Sequence, residues 1–114
     1  MSKVSAIQLN SGPNIKVNLY DVKTFIEQIA DLGSKMVVLP ENFALMPEND
    51  ADYIKHAEDL GDGQIQNYLS DLASTYKIWI VGGTIPIKSK DKDRVMASTI
   101  TYNEKGCLLY TSPS

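Results

Sequence analysis

The stretch Met36-Val37-Val38-Leu39-Pro40-Glu41-Asn42-Phe43 decides how the rest of the chain is read. Four apolar residues in a row, with no alternation, predict a strand buried on both faces of a sheet. Pro40 has no N–H to give a neighbouring strand, so the strand ends there. Glu41 is thereby set just past the carboxyl end of a buried strand, where reactive groups collect in open α/β sheets. Phe43, Leu45 and Met46 follow and are placed to shield that carboxylate from water. Desolvation strengthens a carboxylate's hold on a proton, as a general base working near neutral pH requires. An exposed loop glutamate is nevertheless the commoner outcome of such a pattern taken alone.

Upstream, Val4 to Leu9 is short, mostly apolar and β-branched, and predicts another buried strand. Ser11-Gly12-Pro13-Asn14 is a loop signal. Asn18, with Asp21 three residues on, suggests a helix N-cap. Leu19, Val22, Ile26, Ile29 and Ala30 then recur at helical spacing, Phe25 widens the stripe, and Gly33 supplies the stop. Two buried strands around one helix make a βαβ unit, whose crossover is right-handed in nearly every case.

Downstream, Asn49 suggests the cap of a short helix with Asp52 at its third position and Tyr53, Ile54, Ala57 and Leu60 on its inner face. Gly61-Asp62-Gly63 breaks the chain, and Asp62 is placed to cap the next helix. In that helix Ile65, Tyr68, Leu69, Leu72, Ala73 and Tyr76 keep the i, i+3, i+4 spacing without a miss. Ile78 to Val81 predicts a third buried strand closed by Gly82-Gly83, and Val95 to Tyr102 a fourth. Asn103-Glu104-Lys105-Gly106 reads as a hairpin turn leading into a returning strand from Cys107 to Tyr110. The predicted order is β-α-β-α-α-β followed by a hairpin, an α/β layered architecture. Strands without an interrupting charge require cover on both sheet faces. Three helices supply only part of it.

Composition excludes several functions. The chain has 114 residues, 43% hydrophobic and 22% charged, enough for one domain with one core. Its net charge of −3 and pI near 5.0 give no basic footprint for nucleic acid or an anionic membrane. The densest basic cluster, Lys88 to Arg94, is diluted by Asp91 and Asp93 and reads as a solvated loop. A single cysteine, Cys107, rules out an internal disulfide and fits a reducing compartment. No apolar run is long enough to span a membrane, and Met1-Ser2-Lys3 leads directly into a strand. The expected location is the cytoplasm.

Residues 36–43 resemble the first signature of the nitrilase superfamily of carbon–nitrogen hydrolases: a hydrophobic strand, then Pro-Glu and an aromatic. Val4-Ser5-Ala6-Ile7-Gln8-Leu9 is similar to the family's opening strand, and Asn18 matches the asparagine that often starts its first helix. Ile78-Trp79-Ile80-Val81-Gly82-Gly83-Thr84-Ile85-Pro86 resembles its third strand and Gly-Gly turn, and residues 97–106 resemble its hairpin. The similarity runs in order from residue 3 to about 109. Pro-Glu-Asn-Phe with Ile-Val-Gly-Gly-Thr-Ile-Pro is most similar to the bacterial Nit-like group, which includes omega-amidase and deaminated-glutathione amidase activities.

The resemblance implies a fold, the N-terminal part of a nitrilase-like α-β-β-α sandwich, and a Glu–Lys–Cys triad that acts on a small amide or nitrile without a cofactor. Glu41 matches the glutamate, the base that takes the proton of the cysteine thiol. The thiolate attacks the amide or nitrile carbon, the lysine stabilises the developing negative charge, a thioester forms, and water releases the acid. The family lysine follows soon after the hairpin, whereas here Tyr110 is followed by Thr111-Ser112-Pro113-Ser114. No residue matches the lysine or the cysteine, so residues 1–114 read as a partial, inactive hydrolase domain. The full-length protein is expected to be a homodimer. Residues 107–114 are either native or a translated sequencing or cloning artefact. A non-catalytic α/β binding or interaction module is the alternative from another class. A third reading is a fragment with one sheet face and an edge uncovered, too weak to fold stably.

Other residues have plainer explanations. Cys107 follows a turn glycine, with no helix N-terminus or assured base to activate it, and reads as structural or spurious. Lys105, beside the same glycine, reads as solvated. His56, between Asp52 and Asp59, fits an i,i+4 surface pair better than a metal ligand. Glu48, Asp50 and Asp52 lack the glycine and distal glutamate of a calcium loop and fit helix capping. Trp79 reads as core. Gly82-Gly83 is neither a dinucleotide nor a P-loop fingerprint.

Overall fold

In the computed structural model, residues 3–6, 14–41, 43–44, 54–88 and 95–113 are described. The elements are β1 (Lys3–Ala6), α1 (Ile15–Asp31), β2 (Ser34–Leu39), α2 (Gln64–Tyr76), β3 (Trp79–Lys88), β4 (Val95–Tyr102) and β5 (Leu108–Pro113). The five strands form one sheet in the order β1-β2-β3-β4-β5. β1, β2 and β3 are parallel, while β4 and β5 return antiparallel. Of the predicted opening strand, residues 7–9 lie outside the described residues.

The apolar stripe of α1 packs as its spacing requires. Leu19, Val22, Ile26 and Ile29 are buried, and Phe25 packs against the same core. The helix starts one turn earlier than the sequence suggested. Asn14 is the N-cap, its Oδ1 accepting from the Val17 N–H at 3.2 Å. Asn18 is an interior helical residue, 3% exposed. The Ile15–Leu19 pair at i,i+4 lengthens the buried stripe by one turn and accounts for the earlier start. The stop at Gly33 is as expected: its φ is +88°, and its N–H returns to the Ala30 carbonyl at 3.0 Å.

The second helix also follows its stripe, with Ile65, Leu69, Leu72 and Ala73 buried and Tyr68 and Tyr76 at the margin. Its cap differs from expectation. Gly63, at the N-cap position, has no side chain to offer. Instead of Asp62, Glu58 closes the end: its carboxylate accepts from the Ile65 N–H at 2.6 Å and the Gln66 N–H at 3.1 Å. A carboxylate there satisfies donors the helix cannot pair internally and sits at the positive end of its dipole. Asp62 instead accepts from the Asn67 amide at 3.2 Å.

The first turn of the predicted middle helix, with Asn49, Asp52 and Tyr53, lies outside the described residues, whereas its remainder, from Ile54 to Leu60, is described. Residues 54–55 are helical, but Ile54 and Leu60 are exposed, contrary to the expected inner face. The helix cannot continue, because the Glu58 backbone joins β3. Its N–H donates to the Pro86 carbonyl at 2.9 Å, and its carbonyl accepts from the Lys88 N–H at 2.8 Å.

Both helices pack on one face of the sheet, against Val37, Leu39, Ile80, Ile100 and Tyr102. On the opposite face Met36, Trp79, Val81 and Thr101 are only partly covered and Val38 is 38% exposed. β2 and β3 are thus covered on one face among the described residues, whereas their apolar runs call for cover on two. Trp79, expected in the core, is half-buried on this second face, and its Nε1–H donates to Glu104 at 2.8 Å.

Candidate functional site

Because β1, β2 and β3 are parallel, their carboxyl ends share one edge of the sheet. The last β2–β3 pair is Leu39 with Gly82. β2 then stops at Pro40, while β3 runs on to Lys88, paired on its far side with β4. Glu41 therefore leaves the sheet where β2 ends beside a projecting β3–β4 ribbon. This is the strand-exit placement anticipated from the sequence.

The glycine pair does not close β3, as the sequence suggested. The strand passes through both residues, and the β3–β4 register shifts between Gly82 and Thr84. Gly83 takes φ +74°, which a bulge residue tolerates when it has no Cβ. The glycine also makes room: a Cβ on it would lie 2.5 Å from Phe43 Cδ1 and 2.7 Å from Cε1. The Phe43 ring is fully buried against this bare backbone. Burying such a side chain is worth about 1.5–3 kcal/mol. Ala44 is buried as well, and its carbonyl accepts from Asn18 Nδ2 at 2.8 Å. The chain beyond Glu41 is thus held at two successive residues, one against β3 and the other against α1.

Glu41 itself is exposed. The apolar shield expected around it is not built by Phe43, because that ring turns into the core; Leu45 and Met46 lie outside the described residues. A phenylalanine gains more by filling the space over Gly83 than by covering a solvated carboxylate.

Remaining residues of interest are dispersed. Cys107 is exposed on the hairpin, its N–H donating to Asn103 Oδ1 at 3.0 Å. Lys105 is exposed on the same turn and donates its N–H to Asn103 Oδ1 at 2.9 Å. The turn is docked on α2, where the Ser70 hydroxyl donates to the Gly106 carbonyl at 2.6 Å. His56 is half-buried beside an open groove of about 390 Å³ that Asn14, Ile15, Lys16 and Gln64 also line, and Glu41 is not part of it. Of the two flanking aspartates, Asp59 faces Lys88 at 3.8 Å, and Asp52, the i,i+4 neighbour of His56, lies outside the described residues, as do Glu48, Asp50 and the basic segment 89–94. Among the described residues no group of three or more His, Cys, Asp or Glu is arranged to hold a metal ion, and no helix is long and apolar enough to cross a membrane.

Sequence reading missed Glu58 entirely. It is 9% exposed, bonded to α2 and to Gln66 Nε2 at 3.2 Å. Its negative charge and, more strongly, burial push the Tyr102 phenol up to about 12. One signal was available: a helix beginning after Gly63 needs an acceptor for its first N–H groups, and no side chain at the cap provides it.

Comparison with known proteins agrees with this architecture. Residues 3–111 match the family model described as carbon–nitrogen hydrolase. The chain is 34% identical over 106 residues to a deaminated glutathione amidase of Yersinia enterocolitica, covering 92% of this chain and 36% of that protein. It is 35% identical over 113 residues to the omega-amidase NIT3 of Saccharomyces cerevisiae, covering 94% and 38%. The crystal structure of Saccharomyces cerevisiae Nit3, a member of branch 10 of the nitrilase superfamily, superimposes with a TM-score of 0.85 at 32% identity, over 99% of this chain and 44% of that one. The chain thus spans a little over a third of the length of these curated relatives. The extent of the family match, together with this similarity in sequence and fold, places the chain in the carbon–nitrogen hydrolase family.

Proposed function

We propose that residues 1–114 form the N-terminal portion of an amidase that hydrolyses the carbon–nitrogen bond of a small amide, with Glu41 as its general base. The observation that carries this is the strand exit: Pro40-Glu41 at the end of β2, followed by Phe43 and Ala44 locked in the core, in a chain similar over nearly its whole length to amidases. The lysine and the nucleophilic cysteine are supplied by sequence beyond Ser114. Residues from that region also cover Glu41 and the second sheet face. Glu41 takes the thiol proton, the thiolate attacks the amide carbon, and the lysine ammonium stabilises the oxyanion. The proton returns to the leaving nitrogen as the C–N bond breaks, and water then hydrolyses the thioester to the acid. The omega-amidase relative favours an ω-amide of a small carboxylic acid, released as acid and ammonia. The whole protein is cytoplasmic and homodimeric in this reading.

The test is ammonia release from ω-amides by the full-length protein and by the 114-residue chain. The full-length protein should be active, and Glu41→Gln should cost it at least about 10²–10⁴-fold in rate, the usual worth of a positioned acid–base group. The short chain should release none. Amide hydrolysis by the short chain that Cys107→Ala abolishes, or an unimpaired Glu41→Gln enzyme, overturns the proposal.

A further inference from the structure

We propose that Asn18 is a positioning residue for Glu41, an inference that rests on the general-base reading of that carboxylate. Asn18 lies in the first turns of α1, far from Glu41 in sequence, and its side chain is 3% exposed. Asparagine is a poor residue for the buried face of a helix. Its Nδ2 spans to the next element and donates to the Ala44 carbonyl at 2.8 Å, a bond buried on both sides. A buried donor and acceptor paired in this way fix a distance, because a bond lost where water cannot replace it is costly.

The bond fixes the far end of a very short segment. Upstream, Leu39 is paired with Gly82 in the sheet, and Pro40 restricts the exit. Downstream, Phe43 is seated on Gly83 and Ala44 is held by Asn18. Only Glu41 and Asn42 stand between these anchors. Glu41 is exposed and no hydrogen bond or ion pair to a described residue holds it, so its place is set by the backbone on either side. A general base must come within hydrogen-bond reach of the proton it takes, and a misplacement of about 1 Å costs on the order of 10²-fold. α1 thus acts on the carboxylate through Ala44, without touching it.

The experiment uses the full-length enzyme with Asn18→Asp, which keeps the shape but lacks the N–H donor at neutral pH, and Asn18→Ser, which is neutral and too short to reach. Ile26→Val, in the buried face of the same helix, serves as the control for lost packing. Both Asn18 variants are expected to lower kcat by roughly 10–100-fold, with KM held within about threefold. The control loses thermal stability and keeps kcat. In the Glu41→Gln background, Asn18→Ser should cost nothing further, because two residues acting as one unit are not additive. Should the aspartate variant fail to fold, the serine variant carries the test.

An Asn18→Ser enzyme within about twofold of the parent kcat, alongside a disabled Glu41→Gln enzyme, overturns the positioning role and leaves the general base intact. Equal losses from Asn18→Ser with and without Glu41 also overturn it. An unimpaired Glu41→Gln enzyme removes the base, and this inference with it.

Discussion

Gly83→Ala should be far more damaging than one methyl group suggests, and the cost should trace to a single neighbour. The added Cβ would lie 2.5 Å from Phe43 Cδ1, 2.7 Å from Cε1 and 3.2 Å from Leu39 Cβ. The ring is fully buried, so it cannot move aside without opening the core. Overpacking of this kind costs about 1–3 kcal/mol. Residue 83 also sits at φ +74°, where a Cβ costs about 1–2 kcal/mol. Together the two effects amount to about 2–5 kcal/mol, a large part of the stability of an ordinary domain. Urea denaturation followed by the emission of Trp79, the only tryptophan, measures this directly. A double-mutant cycle with Phe43→Leu separates the two causes, since leucine withdraws the ring edge and leaves the backbone strain. In that background the cost should fall to about 1–2 kcal/mol, giving a coupling of about 1–3 kcal/mol. Equal costs in both backgrounds, within about 0.5 kcal/mol, would refute the contact between Phe43 and Gly83 that anchors the loop after Glu41.

Two further outcomes follow from the Glu58 cluster. Glu58→Ala strips the acceptor from the Ile65 and Gln66 N–H groups and should destabilise the chain by about 2–4 kcal/mol in urea. Asp62→Ala should cost less than about 1 kcal/mol, since its bond to Asn67 is exposed. Equal costs would return the cap to Asp62. Tyr102, held up at about 12 against an ordinary 10.0, binds its proton more tightly folded than unfolded. Its contribution is complete below pH 10 and lost as pH rises toward 12, so stability falls across that window. Tyr102→Phe should flatten that part of the pH–stability curve, and an unchanged slope would show that another group titrates there.

Much of the fold is written in local spacing. The stripes of α1 and α2 recur every three or four residues because one face of each must meet the sheet, and the structure buries the centre of each stripe, with Phe25, Ala30, Tyr68 and Tyr76 partly covered at the margins. The run Met36 to Leu39 with Pro40 announced both a strand and its end. The hairpin at 103–106 was equally legible, since Asn103 closes the turn with its own side chain and Gly106 takes φ +80°.

The errors share one cause. Asn18 invited a capping role because asparagine is enriched at caps, but its partner is a carbonyl 26 residues away. Gly82-Gly83 looked like a break because glycine punctuates chains, whereas what it accommodates is the ring of Phe43. Phe43 was assigned to shield Glu41 because it is near in sequence, yet it is drawn to the deeper space over the bulge. Glu58 was invisible because nothing around it in sequence asks for a carboxylate.

The amino-acid sequence by itself determined the strands, the two long helices, their order and the placing of a carboxylate at a strand exit, because these depend on residues within a turn or two of one another. Only the tertiary structure decided which side chains hold that exit in place and that the carboxylate is exposed among the described residues. Those depend on groups brought together from α1, β2 and β3, and a buried hydrogen bond or a missing Cβ has meaning only once its distant partner is in position.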